Sequence, residues 1–207
     1  LLRGRDALFY GIVLGGIDDF LDYLDELDDK INKEKITLET NAEGLSKEDQ
    51  LGFWFDFADE HDKYEKIFPA ILRKSIFTSL FSYFEHQLFN MCKDKEKLKS
   101  IKNVYGLDKA KEYLSKIENL GEIFKGREWN IIKQYSQVRN CIVHAGGIIY
   151  LMSNDGEQQS VRNFIKATKG IIINQGDVIE LETNFCKEFG SVAGDFLEII
   201  HISMKNH

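Results

Sequence analysis

Near residue 140 the sequence reads RNCIVHAGG, from Arg139 to Gly147, and places an arginine, an asparagine and a histidine within six positions. Each type has something to offer a phosphate ester. Arg presents a planar fork of donors that matches phosphate oxygens. His titrates near neutrality and passes protons in either direction. Asn fixes a ligand oxygen or the orientation of an imidazole. On a helix Asn140 and His144 are four apart and share a face. Arg139 and His144 are five apart, about 140° around an ideal helix. One chain therefore splits them, and a long Arg side chain or a second copy must close the angle. Arg and His also suit a helix C-terminus, where positive charge meets the negative end of the dipole. Residue types and spacing leave both readings open.

The stretch 127–145, REWNIIKQYSQVRNCIVHA, predicts a helix. Ile131, Tyr135, Val138 and Ile142 make its apolar stripe, and Lys133, Gln137, Asn140 and His144 make a polar one. Gly146 and Gly147 supply the stop. Residues 70–92 predict a second long helix around Ile76, Leu80, Phe84 and Leu88, widened by Phe77 and Phe81. The aromatic spacing there is that of a core, not of exposed stacking platforms. Amphipathic spacing predicts a helix from Ile12 to about Ile31. Ser46, with Asp49 three residues later, signals a helix start near 47. Pro69 fits the first turn of a helix or a kink in a long one. The Lys-rich 93–103 reads as a loop or fraying helix end. Residues 107–120 predict a helix capped by Asp108, with Leu107, Tyr113, Leu114 and Ile117 inward. Residues 160–170 read as a short helix or turn. GIIINQGDVIELE, 170–182, predicts a β hairpin around Asn174–Asp177. Residues 186–207 predict a terminal helix with Phe189, Val192, Phe196, Ile199 and Ile200 inward. One mainly α domain, 1–207, is expected, with a short β hairpin before the C-terminal helix.

Apolar residues are 43% and charged residues 29% of the chain, with 15 Phe and one Pro. That composition belongs to a folded helical protein, not a disordered one. No apolar run is long enough to span a membrane, and the opening LLRGRDALFYG does not read as a secretory signal. Cys92, Cys141 and Cys186 form no CxxC pair and suggest reduced, buried thiols in a cytoplasmic protein. Cys141 and His144 alone are too few ligands for zinc, so neither a metal nor another cofactor is expected. The net charge of −7 is unevenly placed. Residues 1–60 hold 16 acids and 6 bases, whereas residues 61–207 hold 18 acids and 21 bases. The acidic run DDFLDYLDELDD, 18–29, reads as a solvated helix face, and residues 1–60 as an acidic helical N-terminal extension. No Gly-rich phosphate loop of either common pattern is present.

The stretch VRNCIVHAG resembles the R-x4-6-H motif of the HEPN superfamily, with Arg139, the polar Asn140 after it, and His144. The helix SLFSYFEHQLFNMC resembles that superfamily's earlier core helix, whose acidic residue would be Glu85. The glycine pair and short strand pair that follow resemble a prokaryotic branch of it. The likeness spans roughly residues 65–205. It implies a HEPN-like helical bundle that forms a homodimer, with the active site near the two-fold axis. It also implies a metal-independent endoribonuclease of a toxin–antitoxin or phage-defence system, with RNA as substrate and an antitoxin or defence-system protein as a further partner. Arg139, Asn140, His144 and Glu85 would be the catalytic set. Lys133, Arg127 and Lys125 would steer the RNA backbone. The alternative within the same superfamily is a non-catalytic dimerisation or RNA-binding module.

Overall fold

The computed structural model describes residues 4–205. Helical backbone runs from the start of that range to residue 43, as α1 (Gly4–Leu8), a π-helical segment (Phe9–Leu14) and α2 (Gly15–Glu43). The helix expected over 12–31 is thus longer at both ends. Exposed pairs four residues apart, such as Glu26–Lys30 at 2.6 Å, support its polar second half. Ser46 then caps α3 (Lys47–Asp62), its Oγ accepting the Asp49 N–H at 3.3 Å. A π-helical segment (Lys63–Ile67) joins α3 to α4 (Phe68–Met91). Pro69 lies in the first turn of α4, directly after the π-helical segment, so helical backbone runs through it and it interrupts the regular bonding there.

Beyond α4, the Lys-rich stretch forms a short helix, α5 (Lys95–Ser100), because Asp94 accepts the N–H groups of Glu96 and Lys97. Next comes α6 (Gly106–Lys116). Asp108 lies inside its first turn and does not cap it; no side chain does. A 3-10 turn (Ile123–Lys125) leads into α7 (Arg127–Ala145). The ambiguous stretch after the glycine pair contains a full helix, α8 (Asp155–Ala167), capped by the Asn154 side chain. Strands β1 (Ile171–Ile173) and β2 (Ile179–Leu181) pair antiparallel, Ile171 with Leu181 and Ile173 with Ile179. Asn174 Oδ1 accepts from the N–H groups of Gly176 and Val178 and so closes the turn. The chain ends in α9 (Thr183–Ser203). The protein is therefore mainly α, with the expected hairpin before the last helix. Among the described residues no helix is long and apolar enough to cross a membrane.

Helices α4, α7 and α9 meet in an aromatic core. Phe77, Phe81 and Phe84 of α4, Trp129 and Tyr135 of α7, and Phe185, Phe189 and Phe196 of α9 are all buried. Along α7 the buried line is Ile132, Tyr135, Val138 and Cys141, with Ile131 and Ile142 only half-buried. The stripe is thus rotated by about one residue from the expected one, because α7 is packed by α8 as well as by α4 and α9. Ile117 and Ile199, expected inward, are each 38% exposed at the edges of their helices.

Within the acidic N-terminal part, α2 packs on the bundle. Ile17 and Leu24 of α2 are buried against the bundle. Asp28 accepts two bonds from Arg73 Nη2, at 3.0 and 3.1 Å, and Asp25 pairs with Lys187 of α9 at 2.7 Å. The acidic run is therefore partly a docking edge and partly a solvated face. Helix α3, by contrast, buries none of its residues. All three cysteines are free and buried.

Candidate functional site

The C-terminal end of α7 carries the Arg139–Asn140–His144 group. Its stop is set by Gly146 in the left-handed region (φ 64°), whose N–H returns to the Cys141 carbonyl. A Cβ would strain that conformation, which explains the glycine immediately past the last helical residue. Gly147 (φ 83°) follows, and its carbonyl accepts the Ile179 N–H at 2.8 Å. The end of α7 is thereby tied to β2.

The motif residues divide between two sides of the helix. Arg139 turns toward α4. Its Nη1 donates to Asn140 Oδ1 at 3.0 Å, and its Nη2 lies 3.8 Å from Glu85 Oε2. The guanidinium carbon sits 5.6 Å from the centre of the Phe81 ring. About a quarter of each side chain of the Arg139–Glu85 pair is exposed. At 3.8 Å the pair is electrostatic rather than hydrogen-bonded, worth about 1 kcal/mol or less. Arg139 Nε is enclosed and meets no acceptor among the described residues. Glu85 also faces the start of α6: a Cβ built on Gly106 would lie 3.1 Å from its Oε1.

Asn140, while accepting from Arg139, also borders a cleft that it shares with His144. The cleft holds about 350 Å³ and is lined also by Leu151, Met152, Ser153 and Glu157. His144 is exposed and bonds to no described residue. Lys133, about three turns back along the same face, is also exposed and unpaired. The structure joins Arg139 to Asn140 and Glu85, and joins Asn140 to His144 along one cleft. Within one chain it does not bring the Arg139 fork and the His144 ring into a single pocket. Arg127 and Lys125 lie at the opposite end of α7, about 25 Å from His144 along the axis. Lys125 pairs with Glu122 at 2.6 Å on the surface, and Arg127 opens on a separate cleft. Cys141 is buried while His144 is exposed. Burial pushes the Cys141 thiol up to about 11, which keeps it protonated.

Two residues that shape this end of the molecule were not legible in the sequence. Arg162 of α8 grips Asp177, in the hairpin turn, with bonds of 2.5 and 2.6 Å. Asp177 also accepts the Tyr150 N–H at 3.0 Å, and its carbonyl accepts the Ile149 N–H. One carboxylate thus ties α8, the hairpin and the loop that follows α7. A partner 15 residues away in an exposed turn leaves no periodic trace. The Arg162 hydrogen bonds hold the Asp177 carboxyl below its ordinary value. A lowered folded value means the stabilisation is full above the unfolded carboxylate value, about 4, and is lost as pH falls through the folded one. Arg162→Met should therefore destabilise the protein at neutral pH by about 1–2 kcal/mol. In denaturation at a series of pH values, the gap to wild type should narrow below about pH 4. A gap independent of pH would assign the loss to packing instead.

No protein-family model matches the chain, and neither a curated protein nor a solved structure matches it.

Proposed function

We propose that the protein is an RNA endonuclease that works without metal, as a dimer whose α7 ends face each other. The observation that carries this reading is the division of the motif. His144 stands free over an open cleft, while Arg139, on the adjacent side, is seated by Glu85 and Asn140. A second copy related by a two-fold axis near α7 would set the Arg139 of one chain beside the His144 of the other.

In such a composite site the ribose 2′ oxygen attacks the neighbouring phosphorus. One bond forms between the 2′ oxygen and phosphorus, and the bond to the 5′ oxygen breaks. The products are a 2′,3′-cyclic phosphate and a 5′ hydroxyl. One His144 takes the 2′ proton, and the other, protonated, gives a proton to the leaving 5′ oxygen. Arg139 meets the charge that grows on the non-bridging oxygens, and Glu85 keeps its fork from swinging into solvent. Asn140 holds the guanidinium on one side and borders the His144 cleft on the other. DNA has no 2′ hydroxyl and would not be cut. Lys133, on the His144 face, would draw the RNA backbone toward the cleft. A toxin or phage-defence setting, with an antitoxin or similar protein as partner, belongs to the same proposal.

The test is cleavage of a mixed single-stranded and structured RNA panel in EDTA, with the product ends identified, alongside mass measurement at micromolar concentration. Cyclic-phosphate ends from a dimer are expected. A strict monomer at every concentration would remove the composite site. The engaged state of Arg139 favours one other reading, a dimeric RNA-binding module without catalysis. Stable RNA binding with no cleavage of any panel member would select it.

A further inference from the structure

We propose that the solvent-facing side of α3 docks a basic amphipathic helix of another protein, which Leu51 and Phe55 grip and the acids beside them attract. This goes beyond the function assigned to the end of α7 and does not rest on it.

Helix α3 runs for 16 residues and buries none of them. It packs on α2 and continues through the π-helical segment into α4. One side of it is used by the fold. There Trp54 and His61 are half-buried and in edge-to-face contact, and His61 Nε2 lies 3.1 Å from Glu39 Oε1 of α2. A second apolar line meets only solvent. Leu51 is 77% exposed and Phe55 88%, and Ala58, one turn further on, is exposed as well. These three are spaced i, i+4 and i+7 and lie within about 60° of one another on an ideal helix. Single exposed apolar residues are ordinary on a surface. A line at this spacing is the pattern by which one helix receives another, and the helix of a folded domain normally turns it to the core.

Charge selects the occupant. Residues 47–62 hold six acids and one lysine. By helical position Glu48 and Asp59 stand along one edge of the apolar line, with Asp56 behind them. None of the three makes an ion pair or a side-chain hydrogen bond with a described residue. Elsewhere the fold employs such acids, as Asp28 is employed by Arg73 and Asp25 by Lys187. A row of free carboxylates beside a bare apolar stripe repels RNA and anionic bilayers. It also disfavours a second copy of α3, which would bring like charges together. The complementary surface is an apolar helix face edged with lysine or arginine.

The measurement is fluorescence anisotropy of a labelled leucine–lysine peptide, apolar at i, i+4 and i+7, titrated with the full chain. Two comparison peptides are used. One has the same composition in strict alternation, and the other keeps the helical pattern with glutamate in place of lysine. Only the first should bind at micromolar concentration. Leu51→Ser and Phe55→Ser should each weaken it about tenfold, as expected of anchor residues. Glu48→Lys combined with Asp59→Lys should lose the lysine peptide and take up the glutamate peptide instead. All these side chains are exposed, so the melting temperature checks that each variant is folded. His144→Ala should leave the affinity unchanged. The proposal is overturned if the leucine–lysine helix does not bind, or if the alternating peptide binds as well as it does. It is overturned too if affinity survives both serine variants. A fall in solution mass on Phe55→Ser would assign the face to a second copy and likewise overturn it.

Discussion

His144→Ala should abolish RNA cleavage and leave the fold intact. The side chain is exposed at the last turn of α7 and touches no described polar partner, so its removal costs the fold about 0.5 kcal/mol or less. For a chain of this size that is a melting shift of about 2 °C. Loss of a positioned proton-transfer group costs roughly 10²–10⁴ in rate. Loss from both halves of a dimer removes base and acid together. Arg139→Ala should cost roughly 10²–10³ by analogy with a missing oxyanion donor. It should also lower stability, because the guanidinium packs over Phe81 and faces Glu85. Arg139→Lys should not restore the rate, since a point charge cannot donate to Asn140 and a phosphate in one plane. Asn140→Ala should fall between wild type and these variants. The informative plot is rate against melting temperature. Points that fall on one line would make the group a helix cap. A His144→Ala protein that cleaves at the wild-type rate, once contaminating nuclease is excluded, would sink the assignment of His144. A mixed dimer of wild-type and His144→Ala chains gives a further check, since it keeps only one imidazole of the base–acid pair and should cleave more slowly than wild type.

Local rules carried the architecture, because most of the chain obeys them. The spacing of Ile76, Leu80, Phe84 and Leu88 reports α4 directly, and all four are buried. The Ser46 cap, the glycine stop after Ala145 and the hairpin around Asn174 are each set within a few residues. The misreadings share a physical cause, which is that tertiary neighbours decide them. The buried face of α7 is rotated because α8 packs beside it, and nothing in 127–145 encodes where α8 lies. The acidic run 18–29 looks solvated until Arg73 and Lys187 are placed against Asp28 and Asp25. At the candidate site, helical spacing gave the shared face of Asn140 and His144 and the angular distance of Arg139. It could not give the seat of Arg139 against Glu85, which depends on how α4 and α7 cross. Nor could it reveal the Arg162–Asp177 tie.

Phe189→Ala should be among the most damaging single changes to the fold, and it tests the link between core and site. The ring is fully buried on α9 and stands in the middle of the aromatic cluster. It stacks on Phe81 with centroids 5.3 Å apart and 16° between planes. It meets Phe77 at 5.4 Å, Phe84 at 6.0 Å and Tyr135 at 5.0 Å. Four large neighbours on two other helices cannot all collapse into the space it leaves. The expected loss is therefore at the upper part of the range for buried Phe, about 3–5 kcal/mol. That is a large share of the roughly 5–15 kcal/mol by which a domain is stable. It corresponds to a melting shift of roughly 6–20 °C for a chain of this length. Phe55→Ala is the control. That ring is 88% exposed on α3, and its loss should fall within about 0.5 kcal/mol. Phe189→Leu restores most of the volume and should recover more than half of the deficit. The same ring braces Phe81 from behind, and Phe81 is the surface over which Arg139 lies. Well below its melting temperature, Phe189→Ala should thus still bind RNA through Lys133 but cleave it more slowly, while Phe189→Leu cleaves at close to the wild-type rate. Chemical denaturation and single-turnover cleavage at 15 °C measure the two halves of the claim. A Phe189→Ala protein as stable as wild type would overturn the described core. One that is destabilised yet cleaves at the full rate would show that Arg139 does not depend on Phe81 for its place.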